Sequence, residues 1–261
     1  REAMAEALNS LDSVLGQTHK IIIDNKEVST TNIHERYNPS NTQQLVGKVM
    51  MANNDIAEQA VQSAKTAFKK WRNKPVEDRA QVLEKLANLI ERDRFLLSAI
   101  EVAEVGKTWH EADGDICEAI DFCRYYAQDM RRLGQAQRVG HAKGETSYYH
   151  YQPRGVSLVI APWNFPLAIL CGMTTASMVT GNTVVMKPAE QSSITASYLM
   201  QLLMEAGCPP GVVNFLPGLG EEVGEYLTSH KDIDLIAFTG SKQVGLNIVA
   251  KTGQIQPDQR Y

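Results

Sequence analysis

The sequence predicts an α/β protein: a parallel sheet with crossover helices, preceded by a helical segment. Three observations carry this. Between about residues 55 and 134, three long stretches repeat apolar residues at helical spacing. After Gly155, four short, continuous apolar runs alternate with helix-length segments, the pattern of strands buried on both faces. Between the two regions, residues 144–153 (Gly-Glu-Thr-Ser-Tyr-Tyr-His-Tyr-Gln-Pro) are rich in β-formers and carry no helical stripe.

Taken in order, residues 3–16 read as a short helix ending at Gly16. Residues 20–29 read as a hairpin, Ile21-Ile22-Ile23 and Lys26-Glu27-Val28 about a turn at Asp24-Asn25. Asn38-Pro39-Ser40-Asn41 is a loop. The first long helix opens where Asp55 and Glu58 resemble a capping box, and Ile56, Ala60, Ala64, Ala67, Phe68 and Trp71 share one face. The second carries Ala80, Leu83, Leu86, Ala87 and Ile90, and helical sequence runs on to Gly106. The third carries Ile116, Ala119, Ile120, Cys123, Ala127 and Met130 and stops near Gly134. Residues 144–153 form an extended arm or strand. The four buried strands are placed at residues 156–160, 183–186, 212–216 and 234–238, with helices at about 167–179, 192–206, 221–229 and 243–251. The chain thus divides into a mainly helical part (1–134), an extended arm (135–154) and a parallel-sheet core (155–261).

The 261 residues, 43% of them hydrophobic, suffice for a sizeable core, and 21% charged suits an ordinary soluble protein. A net charge of -4 argues against nucleic acid as a partner. No run reaches the ~18 apolar residues of a membrane span. The first residues are acidic and helix-prone, without the regions of a signal peptide, and no initiator Met opens the chain, so residue 1 is expected not to be the natural start. Cys117, Cys123, Cys171 and Cys208 make no C-x-x-C pair and no His cluster lies near them, so neither a metal site nor a disulfide framework is expected. A reducing, cytoplasmic setting is the simplest.

Parallel sheets bind ligands at the carboxyl ends of their strands. The four loops there are therefore the candidates for chemistry. In Ala161-Pro162-Trp163-Asn164-Phe165-Pro166, a stiff turn could hold the Asn164 amide over a reacting oxygen, or serve as a plain strand-to-helix turn with a buried Trp. In Lys187-Pro188-Ala189-Glu190, an acidic residue and a lysine suit ribose hydroxyls, and equally a solvated charge pair. Leu216-Pro217-Gly218-Leu219-Gly220 runs on to Gly224 with the spacing G-x-G-x-x-x-G, one residue too long for the Rossmann fingerprint, though its glycines would let a cofactor approach the backbone. Phe238-Thr239-Gly240-Ser241 opens a helix, where free N–H groups suit a phosphate and Ser241 suits an ordinary N-cap. One ligand could touch all four.

The same residues carry a family resemblance. Pro162-Trp163-Asn164-Phe165-Pro166, Gly181-Asn182-Thr183-Val184-Val185-Met186-Lys187-Pro188-Ala189-Glu190, Pro209-Pro210-Gly211-Val212-Val213-Asn214 and Phe238-Thr239-Gly240-Ser241 resemble, in type, order and spacing, the aldehyde dehydrogenase superfamily over about residues 20–255. Upstream, Glu104-Val105-Gly106-Lys107-Thr108-Trp109-His110-Glu111-Ala112-Asp113 and Glu118-Ala119-Ile120-Asp121-Phe122-Cys123-Arg124-Tyr125-Tyr126-Ala127 look like its Δ1-pyrroline-5-carboxylate dehydrogenase branch. Enzymes of that branch oxidise L-glutamate γ-semialdehyde to glutamate in proline degradation, and some are fused to a proline dehydrogenase.

The resemblance implies an aldehyde dehydrogenase-like fold with a Rossmann-type sheet, NAD as cofactor and a small aldehyde as substrate. It also implies a homo-oligomer and an associated or fused proline dehydrogenase. It makes Asn164 the donor to the oxyanion, a contact typically worth ~3 kcal/mol in barrier height. Lys187 and Glu190 match adenosine-ribose contacts, and a carboxylate there favours NAD over NADP. Gly240 and Ser241 match pyrophosphate contacts, Gly220 and Val244 the adenine side, and Ile160, Pro162 and Trp163 cofactor-wall positions. Glu118 and Phe165 match positions near the aldehyde tunnel. In the family the general-base glutamate and the nucleophilic cysteine lie in segments beyond Tyr261. The catalytic domain is therefore expected to be missing from this chain, with Cys171 a buried, inert thiol rather than a substitute nucleophile. The chain alone is expected to show no dehydrogenase turnover and, with its arm and one sheet face uncovered, to self-associate. A non-catalytic nucleotide-binding module and a dehydrogenase of another aldehyde are the alternatives.

Overall fold

The computed structural model describes residues 2–253. Helix α1 (Glu2–Ser10) runs into a 3-10 turn at Leu11–Ser13, and the chain reverses at Gly16, whose φ of 76° is left-handed. Three short strands follow, β1 (Thr18–His19), β2 (Ile21–Ile23) and β3 (Lys26–Val28). The expected turn between β2 and β3 is present: Asp24 and Asn25 both sit at φ 56°, the paired left-handed geometry of a tight hairpin turn. The short β1 was not anticipated, and neither were two longer strands, β4 (Ile33–Asn38) and β5 (Asn41–Met50). The Asn38–Asn41 loop is the hairpin between them. Their sequences are polar because one face of this small β1-β5-β4 sheet is wet, which hides the alternation.

Four helices come next, α2 (Asn54–Trp71), α3 (Val76–Arg92), α4 (Arg94–Val105) and α5 (Trp109–Leu133). The expected start of α2 is corrected. Asn53, not Asp55, is the N-cap, accepting from Ile56 N at 3.0 Å, and Glu58 instead holds Tyr226 and His230. The capping box lies on α5, where Thr108 and Glu111 cap each other. Strands β6 (Gln137–Val139) and β7 (Ser147–Tyr149) then make an exposed hairpin.

The core follows the expected alternation: β8 (Val156–Ile160), α6 (Ala168–Val179), β9 (Thr183–Lys187), α7 (Ser193–Glu205), β10 (Val213–Phe215), α8 (Glu225–Thr228), β11 (Leu235–Phe238) and α9 (Lys242–Thr252). A π-turn at Gly220–Gly224 leads into α8. The sheet order is β11-β8-β9-β10-β2-β3, parallel from β11 to β10 and antiparallel at the β2–β3 hairpin. The chain builds outward from β8 to β10, then returns to place β11 on the other side of β8. That reversal creates a switch point between β8 and β11, where sheets of this kind open a crevice.

Both faces of the sheet are covered at β8–β10. On one, Val159, Val184, Met186, Val213 and Phe215 pack with α3, α5, α6 and α7. On the other, Leu158 and Val185 meet Ala57, Ala60, Val61 and Ala64 of α2, small residues that let the helix lie close. A third cluster, including Val46, Val49, Ala99, Ile100 and Ala103, closes the small sheet onto α4. Among the described residues no helix is long and apolar enough to cross a membrane.

Candidate functional site at the strand ends

Register decides which loops can share a ligand. Phe238 pairs with Ile160, and Ile160 with Lys187, so β11, β8 and β9 end level with one another. Leu216 N bonds to Met186 O, which brings the loop after β10 to the same edge. The four candidate loops therefore lie along one end of the sheet.

The tightest convergence lies beyond β9. Lys187 is 3% exposed, and its ammonium donates to Pro188 O at 3.2 Å and lies 3.6 Å from Glu190 Oε1. Burial pulls its pKa below the ordinary lysine value, while Glu190 partly restores it. The same Glu190 oxygen accepts from Gly220 N at 2.5 Å. Three of the singled-out residues, from two different loops, thus form one connected group. Glu190 Oε2 has no partner among the described residues, and the ammonium retains a third N–H.

Along the same edge, Gly240, Ser241 and Val244 are exposed at the start of α9. Ser241 is an N-cap, accepting from Val244 N at 3.3 Å. The first-turn N–H groups of Lys242 and Gln243 have no partner among the described residues. Ile160 and Pro162 are half-buried beside them.

The loop after β8 stands out from the body. Trp163 is 52% exposed and Phe165 40%, and the Asn164 side chain is exposed. The expectation of a buried Trp in a plain turn is thereby corrected: this loop presents its side chains outward. Glu118 is exposed on α5, one turn beyond Asp115, which reaches the base of the loop.

Sequence reasoning missed the groups that support this loop. Asp115, fully buried, accepts from Leu167 N at 3.1 Å and Ala168 N at 3.3 Å. Lys107 Nζ donates to Asn164 O at 3.1 Å. The available signal was a charge in an apolar stripe: Asp115 falls between Ala112, Ile116 and Ala119 on the buried face of α5.

None of the thiols is set up as a nucleophile. Cys123, Cys171 and Cys208 are buried, and Cys171 Sγ lies 3.5 Å from Cys123 Sγ. Hydrogen bonding to Cys123 and burial hold the Cys171 thiol far above its ordinary pKa, and burial pushes Cys208 up to about 12. Half-buried Cys117 is also shifted upward by burial.

Comparison with known proteins identifies a family. Residues 26–258 match the aldehyde dehydrogenase family model. The chain is 44% identical over 261 residues to 1-pyrroline-5-carboxylate dehydrogenase 1 of Halalkalibacterium halodurans, covering all of this chain and 51% of that relative. Among solved structures, proline utilization A of Bdellovibrio bacteriovorus aligns with a TM-score of 0.97 at 56% identity, over all of this chain and 27% of that one. A Thermus 1-pyrroline-5-carboxylate dehydrogenase with bound NAD aligns with a TM-score of 0.96 at 43% identity, over all of this chain and 51% of that one. The chain spans about half the length of the curated relatives it matches.

Proposed function

The chain belongs to the aldehyde dehydrogenase family, and from that premise we propose that it supplies the NAD-binding part and the oxyanion donor of an enzyme oxidising L-glutamate γ-semialdehyde to glutamate. The observation that carries this is the Lys187–Glu190–Gly220 group at the edge where β8, β9 and β11 end. Its donor set fits a ribose: Glu190 offers a free carboxylate oxygen to hydroxyl protons, and Lys187 a spare N–H to a hydroxyl oxygen. Gly220 has no side chain to block the approach. The exposed first turn of α9, with Gly240 and Ser241, suits a pyrophosphate, and Val244, Ile160, Pro162 and Trp163 offer apolar walls. When bound, NAD supplies the hydride acceptor. The Asn164 amide is the donor toward the oxyanion of the aldehyde carbon, with Phe165 and Glu118 toward the substrate. The names of the relatives support the semialdehyde as substrate and a proline dehydrogenase as fused or associated partner.

Calorimetric titration tests the cofactor reading directly. The chain is expected to bind NAD more tightly than NADP, because a carboxylate at the ribose repels a 2′-phosphate. Glu190→Ala is expected to weaken NAD binding on the order of ten-fold or more and to narrow that preference, since charged hydrogen bonds are worth ~1.5–3 kcal/mol. No NAD binding, or equal binding by the variant, would overturn it. Because no thiol here is activated, the 261-residue chain alone is expected to release no NADH from the semialdehyde. In a longer protein that joins this chain to the remainder of its relatives' length, Asn164→Ala is expected to lower kcat by ~100-fold or more. Unchanged kcat would remove Asn164 from the chemistry.

A further inference from the structure

The loop that carries Asn164 exposes Trp163, Asn164 and Phe165 at its tip, so other groups must fix the backbone there. Three ionisable side chains lie beneath it, all from the α4–α5 hairpin. Lys107, with its side chain only 10% exposed, donates to Asn164 O and sits 4.3 Å from the centre of the Phe165 ring, a cation–π distance. It also lies 3.9 Å from Asp115 Oδ1. Asp115 in turn holds the first amides of α6, Leu167 and Ala168. Glu101, fully buried, lies against Asp115, and neither of its oxygens faces an N–H donor.

We infer that Lys107, Asp115 and Glu101 are positioning residues that set the Asn164 loop, deepening the reading of Asn164 as oxyanion donor and resting on it. Lys107 pins the loop at its tip and Asp115 at its base. An anion at the start of α6 satisfies two of the four amides that a helix leaves unpaired and meets its positive end. Two adjacent buried carboxylates cannot both be charged. Burial and the neighbouring Asp115 hold Glu101 protonated, well above the ordinary carboxylate range, and its O–H then donates to Asp115. The group is therefore neutral as a whole: one cation, one anion and one carboxylic acid. A charge-neutral, largely buried support keeps a donor placed without a costly unpaired ion, and a misplacement of ~1 Å at such a donor can cost 100-fold in rate.

Peptide-resolved amide exchange of this chain tests the inference. Lys107→Met and Asp115→Asn are expected to speed exchange in residues 162–168 by about ten-fold or more. Peptides from β9 and α7 should stay unchanged. Lys107→Arg should restore protection, and Glu101→Gln should match the wild type, because an amide N–H can replace the carboxylic O–H. If Asp115→Asn does not fold, Lys107→Met carries the test, being at the loop's tip. Unchanged exchange in residues 162–168, or faster exchange across the whole sheet, would overturn the inference. Kinetics in the longer protein separate it from the reading beneath it. Lys107→Met should lower kcat about ten-fold with Asn164 present, little altering KM, and not at all in an Asn164→Ala background. Faster loop exchange with an equal kcat loss in both backgrounds would uphold the positioning role and sink the oxyanion role of Asn164.

Discussion

Glu104 shows how a single buried carboxylate can tie stability to pH. It accepts from Ile194 N at 2.7 Å, Thr195 N at 2.8 Å and Thr195 Oγ1 at 2.6 Å, and so caps α7 from the end of α4. Those three donors favour the charged form, yet full burial wins and raises its pKa to about 7 from an ordinary 4.5. A carboxyl raised on folding contributes stability that is fully present below about pH 4.5 and is lost as pH rises through about 7. The lost contribution is roughly 3 kcal/mol at 1.36 kcal/mol per unit. Denaturant unfolding at pH 5 and pH 8 checks this: the stability gap between wild type and Glu104→Gln should shrink by about that amount at the higher pH. A gap independent of pH would refute it.

At the scale of elements, the entrance to β8 shows what the Gly181-Asn182 pair is for. Asn182 Oδ1 accepts from Arg154 N at 2.7 Å and Gly155 N at 3.0 Å, tying the end of α6 to the start of the sheet. Asp234 Oδ2 accepts from Val156 N at 2.8 Å, and Asp234 N donates to Val156 O, which registers β11 against β8. Gly155, at φ 153°, is required twice over: its backbone disfavours a side chain, and a Cβ there would sit 1.9 Å from Asp234 Oδ2. Asn182→Ala leaves two amides unpaired and is expected to cost ~2–4 kcal/mol, with Gly155→Ala at least as costly. Thermal or denaturant unfolding would show it; a loss under 1 kcal/mol in both would contradict this account. Elements of this kind were largely legible in the sequence. The four buried strands and their helices gave strong apolar signals, whereas β4 and β5 did not, because Glu35, Arg36, Gln43 and Gln44 line a half-wet sheet. The caps were harder still: Asn53 lies two residues before the pattern that seemed to open α2, and only the observed hydrogen bond identifies it.

At the scale of the whole molecule, two exposed apolar places stand out beyond the Trp163–Phe165 loop among the described residues. The sheet's faces are covered at β8–β10, and the cover gives out at β11, where no strand residue is buried. There Leu235 is exposed and α9 buries no residue, leaving Leu246 54% and Val249 66% exposed. The second place is the β6–β7 hairpin, with Val139, Tyr148 and Tyr149 exposed, and Tyr151 just after it. Unpaired strand edges and contiguous apolar side chains promote association. Sedimentation at increasing concentration is therefore expected to show self-association of the 261-residue chain. A monomer persisting at ~100 µM, far above typical specific dimer affinities, would contradict it.

The sequence by itself determined the α/β class, the order of strands and helices after Gly155 and the identity of the strand-end loops. These follow from short-range periodicity and turn chemistry, which a single chain displays along its length. Only the tertiary structure decided that β11 returns beside β8, that the β2–β3 hairpin extends the sheet past β10, and that Glu190 joins Lys187 to Gly220. The same holds for Lys107, Asp115 and Glu101 beneath the Asn164 loop. Those contacts join residues tens of positions apart, and a buried charge betrays its partner only once folding has removed the water between them.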